Sequence, residues 1–306
     1  MLCRRFGISR QAYYKSIQKA KQTRLDNQVV LSLIKHERKF LKRSGTRKIY
    51  DNLKPELKKL GQKIGRDKMH ELMKEHRLLV SKKKLYHKTT RSGKRFKEYP
   101  NLIKDLVINQ PEQVWVADVT YIKVNHKHFY LHLITDAYSK KIVGYELSND
   151  ISAESSLKAL KMALSKRLYP DRKLIHHSDR GSNYYSDLYL GYLKDNNIGI
   201  SMTEKSDPYE NAIAERVNGI LKNEFGIGQG FTDFTMARKE IKNAIFLYNT
   251  RRPHLSCQMM TPQKAHINGK YKLRSWKKRF STTGMPVVEN KSLILEKFDT
   301  KSVNHF

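Results

Sequence analysis

The spacing of apolar residues changes near residue 114, and the two parts of the chain predict different structures. Before this point, apolar residues recur every three or four positions, as in a helix that buries one side. After it come three runs rich in β-branched and aromatic residues, VWVADVTYIKV, KHFYLHLITDAY and KIVGYELSND. Because only short polar turns join these runs, they predict three strands in an antiparallel meander.

Helical and strand-like segments alternate after this meander. They are SAESSLKALKMALSKR, KLIHHSD, SDLYLGYLKDNN, GISMTE and NAIAERVNGILKNEF. The resulting order, β-β-β-α-β-α-β-α, predicts a mixed α/β sheet with helices beside it. We expect a further long helix from Thr232 to Arg252, leading into YNTRRPH.

The first 80 residues predict three short basic helices joined by tight turns. The first carries Leu25, Val29 and Leu33 at helical spacing, the second is expected to end or break at Pro55, and the third is IGRDKMHELMKEHRL. This arrangement is typical of a helix-turn-helix module that binds DNA, and the alternative is a basic bundle that only packs. The side chains of this segment expected to contact DNA are Arg47, Lys48, Arg66 and Lys68.

The formal net charge of +32 favours a polyanionic partner, and nucleic acid is the commonest one. Residues 1–100 contain 30 Lys and Arg against 8 Asp and Glu, so most of the excess lies in the first third of the chain. No apolar run is long enough to cross a membrane, and no signal peptide is recognisable. Two distant cysteines form neither a disulfide framework nor a zinc pattern, so we expect a cytoplasmic protein.

The changes in composition divide the chain into five segments. A core is expected where the strands and helices alternate, behind a basic front and a basic linker. The predicted segments are the end of an N-terminal helical segment (1–22), a helix-turn-helix-like domain (23–88), a basic linker (89–107), an α/β core (108–268) and a basic C-terminal tail (269–306).

Three carboxylates stand in unusual positions. Asp118 interrupts an apolar face of the first strand, Asp179 ends the fourth strand, and Glu215 lies on a late helix. Since a buried unpaired carboxylate is costly, Asp118 should be paired, metal-bound or near solvent. Oxygen ligands of this kind suit Mg²⁺, and two ions about 4 Å apart serve phosphoryl transfer. Glu215 shares a polar stripe of its helix with Asn211, Asn218 and Lys222, expected to point away from the packed side.

Four motifs in order resemble those of the DDE transposases of the insertion-sequence-three family, in the product of their second reading frame. The motifs are WVADVTYI, HHSDRGSNY, DPYENAIAERVNGILKNEF and YNTRRPH…MTPQKA. Sixty residues separate Asp118 from Asp179 and 35 separate Asp179 from Glu215, as in the D,D(35)E pattern of that family and of retroviral integrases. The resemblance covers roughly residues 1–268, including a segment similar to the family's internal helix-turn-helix.

The resemblance implies an RNase H-like mixed five-stranded sheet with flanking helices, preceded by a small all-α helix-turn-helix region. It also implies that Asp118, Asp179 and Glu215 are catalytic and bind Mg²⁺, for which Mn²⁺ is expected to substitute. Lys222 matches a basic residue that approaches DNA. The remaining residues expected to contact DNA are Arg180, Asn211, Asn218, Arg251 and Arg252.

Several of these side chains have a structural alternative. Asn211 either orients Glu215 or only starts the helix. Arg251 and Arg252 either hold phosphates or fasten a helix end to the core. His176 and His177 are neighbours on a strand and point to opposite faces, so packing is the expectation for both.

The implied function is magnesium-dependent DNA cleavage and strand transfer at the terminal inverted repeats of an insertion sequence. The alternatives are a non-catalytic, sequence-specific DNA-binding regulator derived from a transposase and a simple RNase H-like nuclease. The expected partners are double-stranded DNA, at the element ends and the target, and a second copy of the chain. A further one is the protein of the upstream frame, as fusion or partner. The expected location is the bacterial cytoplasm, at the nucleoid.

Overall fold

Five strands form one mixed sheet in the structure, a computed structural model that describes residues 7–81, 99–204 and 211–271. They are β1 (Val114–Val124), β2 (Lys127–Asp136), β3 (Ile142–Ser148), β4 (Ile175–Ser178) and β5 (Gly199–Met202). Their order in the sheet is β3-β2-β1-β4-β5. The pairs β1–β2 and β2–β3 are antiparallel, whereas β1–β4 and β4–β5 are parallel. The predicted meander and mixed sheet are confirmed.

Helices precede the sheet and cover both of its faces. Within the described residues they are α1 (Arg10–Phe40), α2 (Thr46–Lys59), α3 (Arg66–Glu75), α4 (Ala153–Ser165), α5 (Ser182–Tyr185), α6 (Asp187–Asp195), α7 (Ala212–Glu224), α8 (Phe234–Thr250) and α9 (Pro262–Asn268). Short 3₁₀ turns follow α7 and α8, at Ile227–Gln229 and Leu255–Cys257. The sequence did not predict α5 and α9, which have only four and seven residues.

Alternation along β1 divides the core into two layers, because successive side chains point to opposite faces of the sheet. Trp115 and Ala117 pack on the side of α4 and α6, with Leu160 and Leu193. Ile122 and Val124 pack on the other side, against α7 and α8. Asp118 belongs to the second face, so the layer of α7 is the one that can reach its carboxylate.

The N-terminal helices form a separate small core, which includes Ile34, Leu53 and Met73. The sequence predicted three short helices, but the first of the three has 31 residues. It runs through the predicted boundary between residues 22 and 23. Neither Gly nor Pro interrupts its sequence. The predicted break at Pro55 is also wrong, because α2 continues through it. Leu53 and Leu57, on either side, are both buried, and this packing offsets the backbone hydrogen bond that proline removes.

The last part of the predicted linker packs on the core. Ile103 and Leu106 lie against the cluster of Val114 and Val116, and the backbone N–H of Leu102 donates to Ser201 Oγ at 2.9 Å. Residues 99–107 are therefore part of the core domain rather than a free connection. The remainder of the linker prediction, 89–98, and most of the predicted tail, 272–306, lie outside the described residues.

Local capping explains several helix starts. Ser9 and Ser152 accept hydrogen bonds from the first turns of α1 and α4, as their positions predict. Asp233 caps α8, so this helix begins at Phe234 rather than at Thr232. None of the described helices is both long enough and apolar enough to cross a membrane.

Candidate active site

The parallel register of β1 and β4 brings two of the predicted carboxylates together. Val116 pairs with His177 in this ladder, so two further steps along both strands make Asp118 level with Asp179. Adjacent strands lie about 4.8 Å apart, so both carboxylates lie close together where β4 ends. The position of Asp118 and Asp179 is called the carboxylate edge. Their electrostatic coupling agrees with this placement, because the charge of Asp179 raises the pKa of Asp118.

Asp118 is held by two donors, and its carboxylate forms no ion pair within the described structure. Asn218 Nδ2 donates to its Oδ2 at 2.7 Å, and the backbone N–H of Val119 donates to its Oδ1 at 2.9 Å. Burial, then the charge of Asp179 and, more weakly, that of Glu215 raise its pKa to about 7. At neutral pH the carboxyl is thus poised between its charged and neutral forms.

Asp179 sits at the start of the turn that follows β4. The backbone N–H of Gly181 donates to its Oδ1 at 3.1 Å. Although much of the residue is exposed, packing on one side desolvates the carboxylate and raises its pKa. A Cβ at Gly181 would lie 2.7 Å from Asn183 Oδ1 and 3.1 Å from Asp179 Oδ1. A larger residue here would therefore displace the side chains of Asn183 and Asp179.

Glu215 lies in the first turn of α7 and is exposed. Its charge reaches Asp118, but its carboxylate makes no hydrogen bond to the rest of the described site. The polar stripe that contains it does not point away from the packed side, as the sequence led us to expect. Asn211 and Asn218, on the same stripe, are buried against β1. The stripe therefore faces the edge of the sheet that carries Asp118.

The two asparagines fix α7 onto β1. Asn211 Nδ2 donates to the backbone carbonyl of Ala117 at 3.0 Å, next to Asp118. The amide oxygens of Asn211 and Asn218 are buried and accept no hydrogen bond from the described residues. Since buried polar atoms are normally satisfied, these two oxygens leave acceptor capacity beside the carboxylates.

Lys222 lies two turns beyond Glu215 on α7. It is half-buried, and its Nζ lies 6.0 Å from the centre of the Tyr121 ring. Burial lowers its pKa, and the charge of Asp118 opposes this shift. The side chain places a positive charge next to the carboxylate edge, where a phosphate group could approach it.

The three carboxylates supply only oxygen donors, which is the ligand type of magnesium. However, in the part of the chain that the structure describes, no three His, Cys, Asp or Glu side chains are gathered closely enough to hold a metal ion. Asp118 and Asp179 are in adjacent positions, whereas Glu215 stands apart at the surface. The donor set and the like charges around Asp118 fit a divalent cation.

Two comparisons of the sequence decide the family. It matches the integrase core domain over residues 108–208 and a second integrase core domain description over residues 196–262. The Insertion element IS600 uncharacterized 31 kDa protein of Shigella sonnei is 34% identical over 269 residues, which are 85% of this chain and 96% of that protein. The chain belongs to the IS3 family of DDE transposases.

Other members of the family match about half of the chain. Transposase InsF for insertion sequence IS3A, from Escherichia coli strain K12, is 34% identical over 164 residues, or 53% of this chain. The chain spans only 57% of that relative's length. Membership in this family makes the chain an enzyme of the polynucleotidyl transferase kind.

Solved structures with a similar core come from retroviruses. The HTLV-2 integrase catalytic core domain in complex with magnesium shares 19% identity and a TM-score of 0.42, over 51% of this chain and 97% of that one. The simian T-cell lymphotropic virus intasome in complex with a PP2A regulatory subunit shares 17% identity and a TM-score of 0.45, over 72% and 73%. The five-stranded mixed sheet with flanking helices confirms the predicted RNase H-like fold.

Three cationic side chains that were predicted to contact DNA form ion pairs within the protein. Arg252 is 2% exposed and binds Glu224 through Nε at 2.8 Å and Nη2 at 2.7 Å. Lys48 Nζ reaches the same carboxylate at 2.9 Å. Arg251 pairs with the buried Glu37 at 2.5 Å. Arg252 thus fastens the end of α8 to α7 of the core, and Arg251 fastens it to α1, while contact of these cations with DNA stays a prediction.

The other predicted contacts differ in how accessible they are. Arg180 is partly buried, and its Nε donates to the backbone carbonyl of Thr203 at 2.7 Å. Asn211 and Asn218 are buried against β1, and their contact with DNA stays a prediction. Exposed basic positions lie on the N-terminal helices, at Arg47, Lys68 and Arg66, of which Arg66 pairs with Asp67 at 2.7 Å.

The histidines near Asp179 pack as predicted. His176 is 1% exposed, and the hydroxyl of Tyr189 lies 2.9 Å from its Nε2. His177 is fully buried, with its Nδ1 2.9 Å from Ser201 Oγ. Asn183, for which the sequence left open a contact with DNA, is buried and donates to Ser156 Oγ.

Sequence reasoning missed the carboxylates that hold the helices together. Glu37 and Glu224 lie on helices whose other acidic residues are solvated, and no local pattern distinguishes them. A usable signal existed for Glu224, because it ends the stretch from Glu215 that resembles the family. It pairs with Arg252 of the next motif.

Proposed function

We propose that this chain cuts DNA at the terminal inverted repeats of an insertion sequence and transfers the resulting ends to new DNA. The observation that carries the proposal is the carboxylate edge formed by Asp118 and Asp179, with Glu215 close enough to affect the pKa of Asp118. Like charges gathered beside the desolvated carboxylate of Asp118 are unfavourable unless a bound cation balances them. Family membership supports DNA as the substrate.

The carboxylates of Asp118, Asp179 and Glu215 are proposed to hold Mg²⁺, with Mn²⁺ as a substitute. A retroviral integrase core of similar fold was solved with magnesium, which supports the choice of metal. When bound, the metal ions activate the attacking oxygen and neutralise charge on the leaving one. Asn218 and the N–H of Val119 hold the carboxylate of Asp118 in place, and the N–H of Gly181 holds Asp179.

The proposed reaction has two displacements at phosphorus. In the first, a water oxygen forms a bond to phosphorus and the bond to the 3′-oxygen breaks, which frees a 3′-hydroxyl. In the second, this hydroxyl attacks another phosphodiester and displaces its 3′-oxygen. Because the protein forms no covalent bond to DNA, its side chains position the groups and balance charge. Lys222, beside Tyr121, is placed to hold a phosphate during both steps.

The N-terminal helices are proposed to grip the DNA. The exposed cations Arg47, Arg66 and Lys68 carry this proposal, together with the excess of positive charge in residues 1–100. Two paired DNA ends call for at least two copies of the chain. The upstream-frame protein is a further proposed partner, as a fusion or as a separate subunit.

The test uses purified protein, Mg²⁺ and labelled duplex that carries the end of the element. We expect cut and joined products with the wild type and none with Glu215→Gln, although both proteins bind the duplex. Glu154→Gln is the matched control, because Glu154 is also an exposed acidic residue in the first turn of a helix, α4. It should retain activity.

Two results would contradict the proposal. Activity of Glu215→Gln equal to that of the wild type would remove Glu215 from the catalytic group. Binding without cutting by the wild type, both alone and fused to the upstream frame, would favour the alternative of a non-catalytic DNA-binding regulator.

A further inference from the structure

A cavity of about 390 Å³ lies on the side of α7 that faces away from the carboxylate edge. The N-terminal half of α7 forms one wall, and the residues after α8 form another. The turn between β2 and β3 contributes Lys140, and α2 contributes Lys48. The polar side chains around the cavity are Lys48, Lys140, Arg216, Arg252, His254 and Ser256.

Positive charge around this cavity exceeds negative charge. Lys48 and Arg252 share a single carboxylate, that of Glu224, at distances of 2.9 Å and 2.7 Å. One negative charge therefore balances two cations. Lys140 and Arg216 add two further positive charges at the same cavity.

Arg216 and Lys140 have donors to spare. Arg216 is exposed and makes no hydrogen bond or ion pair with the residues that the structure describes. Lys140 is half-buried, and its Nζ donates only to the backbone carbonyl of Ala137. An ammonium group has three donors and a guanidinium has five, so both side chains can bind an added anion.

The ionisation of neighbouring groups reports the same excess of charge. Burial and the charge of Arg252 lower the pKa of Lys48 to about 8, although Glu224 opposes this shift. The pKa of His254 is lowered to about 3, by burial and then by Arg252, Lys140, Lys48 and Arg216. A site in which cations depress one another's pKa is one that an anion stabilises.

We propose that this cavity binds one phosphate group through Arg216 and Lys140, in the field of Lys48 and Arg252, and that the group belongs to the DNA backbone. Arginine matches the geometry of phosphate oxygens, and lysine adds a point charge. The binding of a phosphate stands on the cavity alone, whereas its assignment to DNA rests on the proposed function. The ion pairs to Glu224 remain in place, and the phosphate is an additional partner.

Such a site would connect DNA binding with the helix that carries Glu215. Lys48 belongs to the N-terminal helices, Arg216 is adjacent to Glu215 on α7, and Arg252 follows α8. A phosphate held between them would favour the arrangement in which these three elements are packed together. The site thus provides a second contact with the DNA backbone, on the side of α7 that faces away from the carboxylate edge.

The first arm of the test uses inorganic phosphate and the full chain. Thermal unfolding is measured in increasing phosphate, with sodium chloride adjusted to keep the ionic strength constant. We expect phosphate to raise the melting temperature of the wild type and the apparent affinity to fall by about tenfold or more in Arg216→Gln. Arg238→Gln, which removes an exposed arginine of α8 outside the cavity, should respond like the wild type.

The second arm asks whether DNA supplies the phosphate. Duplex binding is measured over a range of salt concentrations for the same three proteins. We expect Arg216→Gln to bind more weakly and to lower the slope of log affinity against log salt by about one, which corresponds to one lost phosphate contact. Phosphate should also cease to stabilise the wild type once duplex is bound.

The outcomes separate the two sources and the two proposals. If phosphate stabilises Arg216→Gln as strongly as the wild type, the cavity is not a phosphate site. If the DNA-bound wild type still takes up inorganic phosphate, the site serves free phosphate, and its assignment to DNA is overturned. If phosphate binds but no joined products form, the result counts against the transposase activity. The proposal that the cavity binds phosphate is then unaffected.

Discussion

Two groups of carboxylates lie along β1, and their surroundings differ. Where β1 begins, Glu112 and Asp136 are fully buried, and donors surround them. Glu112 accepts from the N–H groups of Leu168 and Tyr169, at 2.8 Å and 3.0 Å, and pairs with Arg167. Within β1, Asp118 has two donors and two like charges nearby.

The pKa values express this difference. Although burial opposes it, hydrogen bonds from His266 and the backbone lower the pKa of Glu112. Burial and neighbouring carboxylates raise the pKa of Asp118 to about 7. A carboxylate whose partners are all present contributes to the fold, whereas one with missing positive partners is kept for something that binds later. The first group is therefore structural and the second is the candidate for function.

The largest effect is expected from Glu112→Gln, which breaks the structural group. An amide NH₂ would face backbone N–H groups and leave Arg167 and His266 without their partner. We expect a loss of about 3 kcal/mol in the free energy of unfolding, measured by urea denaturation at pH 7. Because the pKa of Glu112 is lowered in the folded state, this loss should shrink as the pH falls below about 4.

The control for this variant is Glu75→Gln, at an exposed position of α3. It should change stability by less than about 0.5 kcal/mol. If Glu112→Gln were equally mild, the buried group would not be the structural element that its contacts indicate.

Asp118→Asn should change the free energy of unfolding in the opposite direction from Glu112→Gln, and by less. Removing a charge that the fold disfavours is expected to stabilise the free protein by about 1–2 kcal/mol at pH 8, while strand joining is lost. The folded state binds the proton of Asp118 more tightly than the unfolded state, so wild-type stability falls as the pH rises from about 4 to about 7. The variant should lack this contribution.

A matched comparison is Asp171→Asn, since Asp171 is exposed in a loop of the core. Urea denaturation between pH 5 and pH 8 should show that the stability of Asp171→Asn depends on pH as that of the wild type does. A destabilised Asp118→Asn at pH 8 would show that Asp118 is held as firmly as Glu112, and the contrast between the two carboxylate groups would disappear.

The sequence pointed to Asp118 and Asp179 more clearly than to Glu112 and Asp136. Asp118 was recognisable because it interrupts an apolar face, and Asp179 because a polar turn follows a strand. Both signals are local. The partners of Glu112 come from the loop before β4 and from α9, about 55 and 154 residues away, so no local pattern could reveal them.

Helix continuity and the direction of α7 also depended on packing. Pro55 predicts a break, yet the burial of Leu53 and Leu57 keeps α2 intact. The stripe of Asn211, Glu215 and Asn218 appeared solvent-facing because its residues are polar. In the fold it covers a carboxylate edge, where polar groups are the ones required. Periodicity gives the sides of a helix, but the chemistry of the opposing surface decides which side is buried.

The smallest expected effect is the stabilisation of the protein by Mg²⁺ in the absence of DNA. It is also the most direct test of the contrast between the groups of Asp118 and Glu112. An ion that completes the carboxylate edge should add about 1.4 kcal/mol at ten times its dissociation constant, or a rise of roughly 3–5 °C in melting temperature. Sodium chloride at equal ionic strength should not reproduce it. The same rise is expected in Glu112→Gln, from a lower starting temperature, and none in Asp118→Asn. An equal rise in Asp118→Asn would place the ion elsewhere, and the unbalanced charge at Asp118 would need another partner.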